Sequence, residues 1–68
     1  MALPVINHVR EKRIEKGWTQ EELAAQLDVS RQSVISIERG KYIPSLALAL
    51  KMARIFKCTM EALFILEE

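Results

Sequence analysis

The chain has 68 residues and a formal net charge of +1, with 50% hydrophobic and 28% charged residues. This length allows one domain, and the composition is that of a folded globular chain. The single cysteine, Cys58, excludes an intrachain disulfide bond, and no apolar run approaches the roughly 20 residues of a membrane span. The segment 1–6 is too short for a signal peptide and lacks its basic flank. We therefore expect a cytoplasmic protein without a membrane segment.

The charges are distributed unevenly along the chain. Residues 31–57 contain six basic side chains and one acidic side chain, Glu38, whereas residues 58–68 contain three acidic side chains and no basic one. A basic middle and an acidic end suit a protein that turns one face toward a polyanion. An ordinary solvated surface is the alternative, and charge by itself does not decide between the two.

Helix caps and the spacing of apolar residues predict five short helices in one all-α domain. The first runs from about residue 6 or 7 to residue 16, where Gly17 can cap its end. Thr19 and Glu22 form a capping box that begins the second helix, 20–27. The next turn contains Asp28, which tolerates the left-handed conformation that a short turn often needs.

Three further capping residues place the remaining helices. Ser30 begins the third helix, 31–39, which Gly40 ends, and Ser45 begins the fourth, 46–56. Thr59 begins the fifth, from 60 to about 65. The apolar run 63–66 is compatible with helix or strand, because short apolar runs cannot be resolved by periodicity.

The second and third predicted helices, joined by a short turn, have the helix-turn-helix arrangement. The second helix of such a unit must be apolar on its inner face and polar where it meets base edges in the major groove. The third helix meets both demands, because Val34 and Ile37 share one side. The opposite side carries Arg31, Gln32, Ile35, Ser36 and Arg39.

The residue types on that polar side match base recognition. Arginine pairs with guanine and glutamine with adenine through two hydrogen bonds each, while serine offers one flexible hydroxyl. In isolation, Arg31 and Gln32 would be solvent-facing residues of a helix start, but the complete pattern favours base contact. Ile35 can touch a thymine methyl group or be a tolerated surface residue, and the second interpretation is slightly favoured. Ser30 and Gln20, at helix starts, suit phosphate oxygens.

Three segments, 19–24, 29–41 and 44–46, closely resemble the phage-repressor-like (Cro/cI, XRE) helix-turn-helix family. The resemblance covers about residues 7–64 and implies a five-helix, lambda-repressor-like domain that binds operator DNA as a dimer. It implies base contacts by Arg31, Gln32 and Ser36, and an ion pair between Arg13 and Glu38. It implies DNA backbone contacts by Gln20, Ser30, Arg39, Lys41 and Arg10. The chain departs from the family at Asp28, where glycine is usual, at a cost of about a few tenths of a kcal/mol.

These features together predict a sequence-specific transcriptional regulator, with repression as the default expectation. We expect a homodimer on an approximately palindromic operator. The sequence has no catalytic acid pair, phosphate-cradling glycine loop or metal-ligand spacing, so we expect no enzyme activity, no cofactor and no metal. No small-molecule effector is evident. Two alternatives stay open: a DNA-binding partner of another protein, of the antitoxin or restriction-modification controller type, and an interaction module that has lost DNA binding.

The C-terminal apolar residues Phe64, Ile65 and Leu66 are the predicted dimer contact, as packed helix ends or as a strand pair. Residues 1–68 form one domain, with a core of about 7–64 and a possible dimerisation tail at 64–68. The alternative is that the tail folds back onto the core. Trp18 is expected to pack across helices, and Lys51 to be solvated.

Overall fold

The computed structural model describes residues 5–67, which form five helices and two short strands. In chain order these are β1 (Val5–Asn7), α1 (Val9–Lys16), α2 (Gln20–Leu27), α3 (Arg31–Glu38), α4 (Leu46–Phe56), α5 (Met60–Leu63) and β2 (Phe64–Leu66). The five predicted helices are confirmed. The all-α assignment is wrong in one respect, because β1 and β2 pair as a two-stranded antiparallel sheet with Ile6 opposite Ile65.

This sheet shortens the first and last predicted helices. Helix α1 begins at Val9, not at residue 6 or 7, and α5 ends at Leu63, so the ambiguous run 63–66 is a helix end followed by a strand. The His8 amide donates to the Leu63 carbonyl (2.9 Å), and the Val9 amide donates to the Asn7 side-chain oxygen (3.2 Å). The amides at the start of α1 have no intrahelical acceptor, and the strand junction supplies acceptors for these two.

Four helices begin at the predicted capping residues. The hydroxyl of Thr19 accepts from the Glu22 amide (3.0 Å), and the Glu22 carboxylate accepts from the Thr19 amide (2.8 Å), which completes the capping box. Ser30, Ser45 and Thr59 each accept from the amide three residues later at 3.1 Å. Each such cap contributes about 1 kcal/mol.

The ends of α1 to α4 share one motif. A residue with positive φ follows each helix: Gly17 follows α1, Asp28 follows α2, Gly40 follows α3 and Lys57 follows α4. The next amide donates to the carbonyl five residues earlier at 2.9–3.1 Å, as in a Schellman motif. In three of the four motifs that next residue is Trp18, Val29 or Cys58, which packs against the core. The left-handed conformation predicted for Asp28 is present (φ 58°), whereas that of Lys57 (φ 54°) was not predicted.

The core lies where α2, α3 and α4 meet, closed by Val9 at the start of α1 and Leu63 at the end of α5. Its largest fully buried side chains are Leu23, Ile37, Met52, Leu63, Val9 and Val34. The Trp18 ring packs on Phe56 with centroids 5.8 Å apart, which confirms the predicted packing across helices. In residues 5–67 no helix is long and apolar enough to cross a membrane.

Candidate nucleic-acid interface

Helix α3 is held with its polar face outward. Val34 and Ile37, three residues apart, are each only 1% exposed and pack in the core against α2. Arg31 and Gln32 are exposed, and Ser36 is half-buried. The Ser30 cap and the left-handed turn at Asp28 fix where the helix starts and its angle to α2. The helix therefore offers Arg31 and Gln32 to a ligand at its N-terminal end.

A shallow depression of about 430 Å³ lies between α1, the start of α2 and α3. Its lining brings together four of the predicted DNA-contacting residues, which are Arg10, Gln20, Arg31 and Arg39. The three arginines are exposed: Arg10 lies on α1, Arg31 at the start of α3 and Arg39 directly after its end. Guanidinium groups grouped in a concave surface attract phosphate or carboxylate anions and can bind them through paired hydrogen bonds.

An ion pair between α1 and α3 forms the floor of this depression. Arg13 donates to both carboxylate oxygens of Glu38, from Nε to Oε2 at 2.7 Å and from Nη2 to Oε1 at 3.2 Å. Its third nitrogen, Nη1, donates to the Trp18 carbonyl at 2.9 Å. The side chains of Arg13 and Glu38 are 12% and 5% exposed. This is the pair that the family resemblance implies, and it joins α1, the following loop and α3.

Gln20 is attached to the same pair. Its Nε2 donates to Oε1 of Glu38 at 3.2 Å, which orients the side-chain amide, because a carboxylate can only accept. One of the two Nε2 hydrogens is used in this bond, and the second can reach an outside acceptor. Sequence reasoning placed Gln20 near phosphate but missed its bond to Glu38, since the two residues lie 18 positions apart.

The start of α3 presents backbone donors beside a capping hydroxyl. The Ser30 hydroxyl accepts from the Ser33 amide and lies 3.0 Å from the Ser33 hydroxyl, so it is engaged in capping. The amides of Arg31 and Gln32 belong to the first turn, where no intrahelical acceptor exists. These amides sit at the positive end of the helix dipole and suit an anion.

The other end of α3 places Arg39 and Lys41 on the surface. Gly40 has φ +74°, and an added Cβ would meet nothing within 4 Å, so its conformation and not space requires glycine. The Lys41 amide donates to the Ser36 carbonyl at 2.9 Å, which fixes the backbone there. Both basic side chains are exposed. Lys41 lies outside the depression that Arg39 lines.

Two side chains that support the helix-turn-helix make hydrogen bonds that the sequence did not indicate. Asn7 Nδ2 donates to the Ile37 carbonyl at 2.9 Å, and thereby ties β1 to the last turn of α3. Lys51 is exposed, as expected, and its Nζ also donates to the Leu27 carbonyl at the end of α2 (3.3 Å). Their partners lie 30 and 24 residues away, so no local pattern could have revealed them.

The C-terminal segment has both buried and exposed apolar groups. Strand β2 pairs with β1 of the same chain, and Phe64 is half-buried against the core. Ile65 and Leu66 remain 42% and 57% exposed. They border an apolar depression of about 320 Å³ with Ile43 and Leu46, which are 63% and 70% exposed. The fold-back alternative thus holds for the β2 backbone and Phe64, while the neighbouring side chains form an exposed apolar surface.

Comparison with known proteins gives consistent results. Residues 9–63 match the sequence profile described as helix-turn-helix. An uncharacterised HTH-type transcriptional regulator of Archaeoglobus fulgidus is 48% identical over 60 residues, covering 88% of this chain and 86% of the relative. A second such regulator, from Bacillus subtilis, is 48% identical over 62 residues, covering 91% and 94%. The crystal structure of a restriction-modification controller protein from Aeromonas hydrophila superposes with a TM-score of 0.72 at 35% identity, covering 79% and 82%.

Proposed function

The chain belongs to the helix-turn-helix family of transcriptional regulators, and from this premise we propose that it binds a specific double-stranded DNA sequence as a homodimer. The observation that carries the proposal is the outward polar face of α3, with Arg31 and Gln32 exposed beside a depression lined by arginines. An α-helix fits the major groove, where these two side chain types recognise guanine and adenine. Repression is the expected sign of regulation.

The proposed contacts divide into two groups. Arg31, Gln32 and Ser36 read base edges, because they lie on the outward face of α3. The second group binds phosphates and sets the position of the helix on the duplex. This group comprises Gln20, Ser30, Arg39, Lys41 and Arg10. The Ser30 hydroxyl accepts from the Ser33 amide in the cap and can still donate its own proton to a phosphate oxygen, beside the first-turn amides of α3.

The proposed dimer contact is the apolar surface around β2. Its exposed members, Ile43, Leu46, Ile65 and Leu66, are each at least 42% accessible to solvent. Contiguous exposed apolar surface of this kind marks interaction sites, and a domain of this size has a small core. A two-fold dimer requires a self-complementary patch and an approximately palindromic operator, with half-sites separated by about 34 Å or a multiple of it.

Selection of bound sequences from a random DNA pool at two salt concentrations tests the proposal. The parent chain should enrich a palindromic sequence, and its affinity should fall steeply as salt rises. Arg31→Ala should lose or relax one position of the consensus, by about 1–3 kcal/mol of discrimination. Arg54→Ala, which removes the same charge from the exposed surface of α4, is the matched control and should select the parent's sequence. Absence of any enriched sequence would refute the proposal.

A second candidate is control of a restriction-modification system, favoured by the similarity to the Aeromonas hydrophila controller. Such a role uses the same DNA-reading surface and differs in its target. If the selected sequence lies upstream of restriction and modification genes in the source genome, the controller role is supported. In either role, the protein acts in the cytoplasm, where it has access to the chromosome.

A further inference from the structure

Ile35 is an aliphatic residue in the middle of the polar face of α3. Of the seven side chains that line the arginine-rich depression in the described part of the chain, Ile35 is the apolar one. It is half-exposed. It is not one of the partly buried hydrophobic residues that pack against the core within residues 5–67. Core packing therefore does not explain an isoleucine at this position.

The neighbours of Ile35 on the helix surface define what it would meet in a complex. Arg31 lies one turn before it, Arg39 lies one turn after it, and Gln32 is three residues away. Residues three and four apart on a helix have Cβ atoms roughly 5–6 Å apart. If Arg31 and Gln32 reach base edges, Ile35 faces the same stretch of the major groove.

We infer that Ile35 contacts the C5 methyl group of a thymine and thereby determines one position of the recognised sequence. The inference rests on the proposed DNA binding. The thymine methyl is the apolar group that a Watson–Crick pair presents in the major groove, and a branched aliphatic side chain is chemically complementary to it. Contact with the methyl group would remove from water the part of the Ile35 side chain that the free protein leaves accessible. Arg31 and Gln32 read neighbouring base edges through hydrogen bonds, and Ile35 adds discrimination that those bonds do not supply.

Replacement of thymine by deoxyuridine isolates this contact, because uracil pairs identically and lacks only the methyl group. The full chain is titrated with its selected operator and with duplexes in which one symmetric pair of thymines at a time is replaced. Burial of one methyl predicts a loss of about fourfold in affinity per half-site. We expect this loss at one pair of positions for the parent, and its disappearance in Ile35→Ala.

Two controls keep the interpretation tied to Ile35. Leu50→Ala removes an aliphatic side chain that is 51% exposed on α4, outside the arginine-rich depression, and it should retain the deoxyuridine sensitivity of the parent. Ile35→Val keeps a branched side chain and should retain part of the sensitivity. Thermal unfolding of each variant checks that the fold is intact, and Ile35→Ala is expected to keep a cooperative transition because Ile35 lies outside the core cluster.

The outcomes separate this inference from the function on which it rests. Equal affinity of the parent for every deoxyuridine duplex would overturn the thymine contact while leaving specific DNA binding in place. Sensitivity that persists in Ile35→Ala would also overturn it, and would assign the methyl to another residue. A selected operator without thymine opposite α3 contradicts it directly. Failure of the parent to bind any DNA would overturn the proposed function and this inference together.

Discussion

Replacing Glu38 by glutamine tests how much of the stability depends on the ion pair beneath the interface. Glu38 accepts three hydrogen bonds, two from Arg13 and one from Gln20, at 2.7–3.2 Å, and its side chain is only 5% exposed. A glutamine keeps the shape of the side chain but removes its charge. Its side-chain NH2 group would then face an N–H donor of Arg13 or Gln20. Removing one member of a buried pair costs about 3–5 kcal/mol.

The expected loss of unfolding free energy for Glu38→Gln is smaller than this range. The glutamine still accepts one bond, and Arg13 keeps its bond to the Trp18 carbonyl and is 12% exposed, so its charge stays partly solvated. We therefore expect a loss of about 2 kcal/mol, below the lower limit for a fully buried pair. In a domain of 60–100 residues, 1 kcal/mol lowers the Tm by about 4–8 °C, so the shift should be roughly 8–16 °C.

Urea and thermal unfolding followed by circular dichroism measure this change, with Glu21→Gln as the matched control. Glu21 is exposed at the start of α2, and its replacement should change stability by less than about 0.5 kcal/mol. A double-mutant cycle with Arg13→Met separates the pair from its surroundings, because the double variant leaves no unpaired buried charge. A loss below about 0.5 kcal/mol for Glu38→Gln, or strict additivity in the cycle, would refute the reasoning.

Three further predictions concern the helix ends and the surfaces. Lys57→Gly should raise the stability measured by thermal unfolding by about 1 kcal/mol, because it removes a non-glycine residue from the left-handed conformation. Gly40→Ala should lower the stability by at least as much. Equal stability of the two variants would contradict the strain argument. Lys41→Ala should weaken DNA binding equally for all sequences and reduce the salt slope by about 1, while a changed consensus would speak against a phosphate contact. Leu66→Lys, a change at a position 57% exposed in the single chain, should shift sedimentation toward the monomer with helix content retained, and an unchanged sedimentation profile would remove β2 from the dimer contact.

Local patterns were sufficient for the helix-turn-helix and its capping. The hydroxyls of Thr19, Ser30, Ser45 and Thr59 interact with amides three residues away, so each helix start is encoded within one turn of chain. The three-residue spacing of Val34 and Ile37 likewise fixes which face of α3 turns inward. The candidate contact residues on the opposite face follow from the same spacing.

Contacts between distant residues were decided by the tertiary structure alone. Strand β1 exists because residues 5–7 lie against residues 64–66, and three residues carry too little periodicity to indicate a strand. The bond from Gln20 to Glu38 and that from Lys51 to Leu27 likewise join residues 18 and 24 positions apart. The sequence by itself determined the short-range hydrogen bonds and the amphipathic faces, because both repeat within a single helical turn. Only the folded chain decided which distant polar groups meet, since that depends on how the helices pack around the shared core.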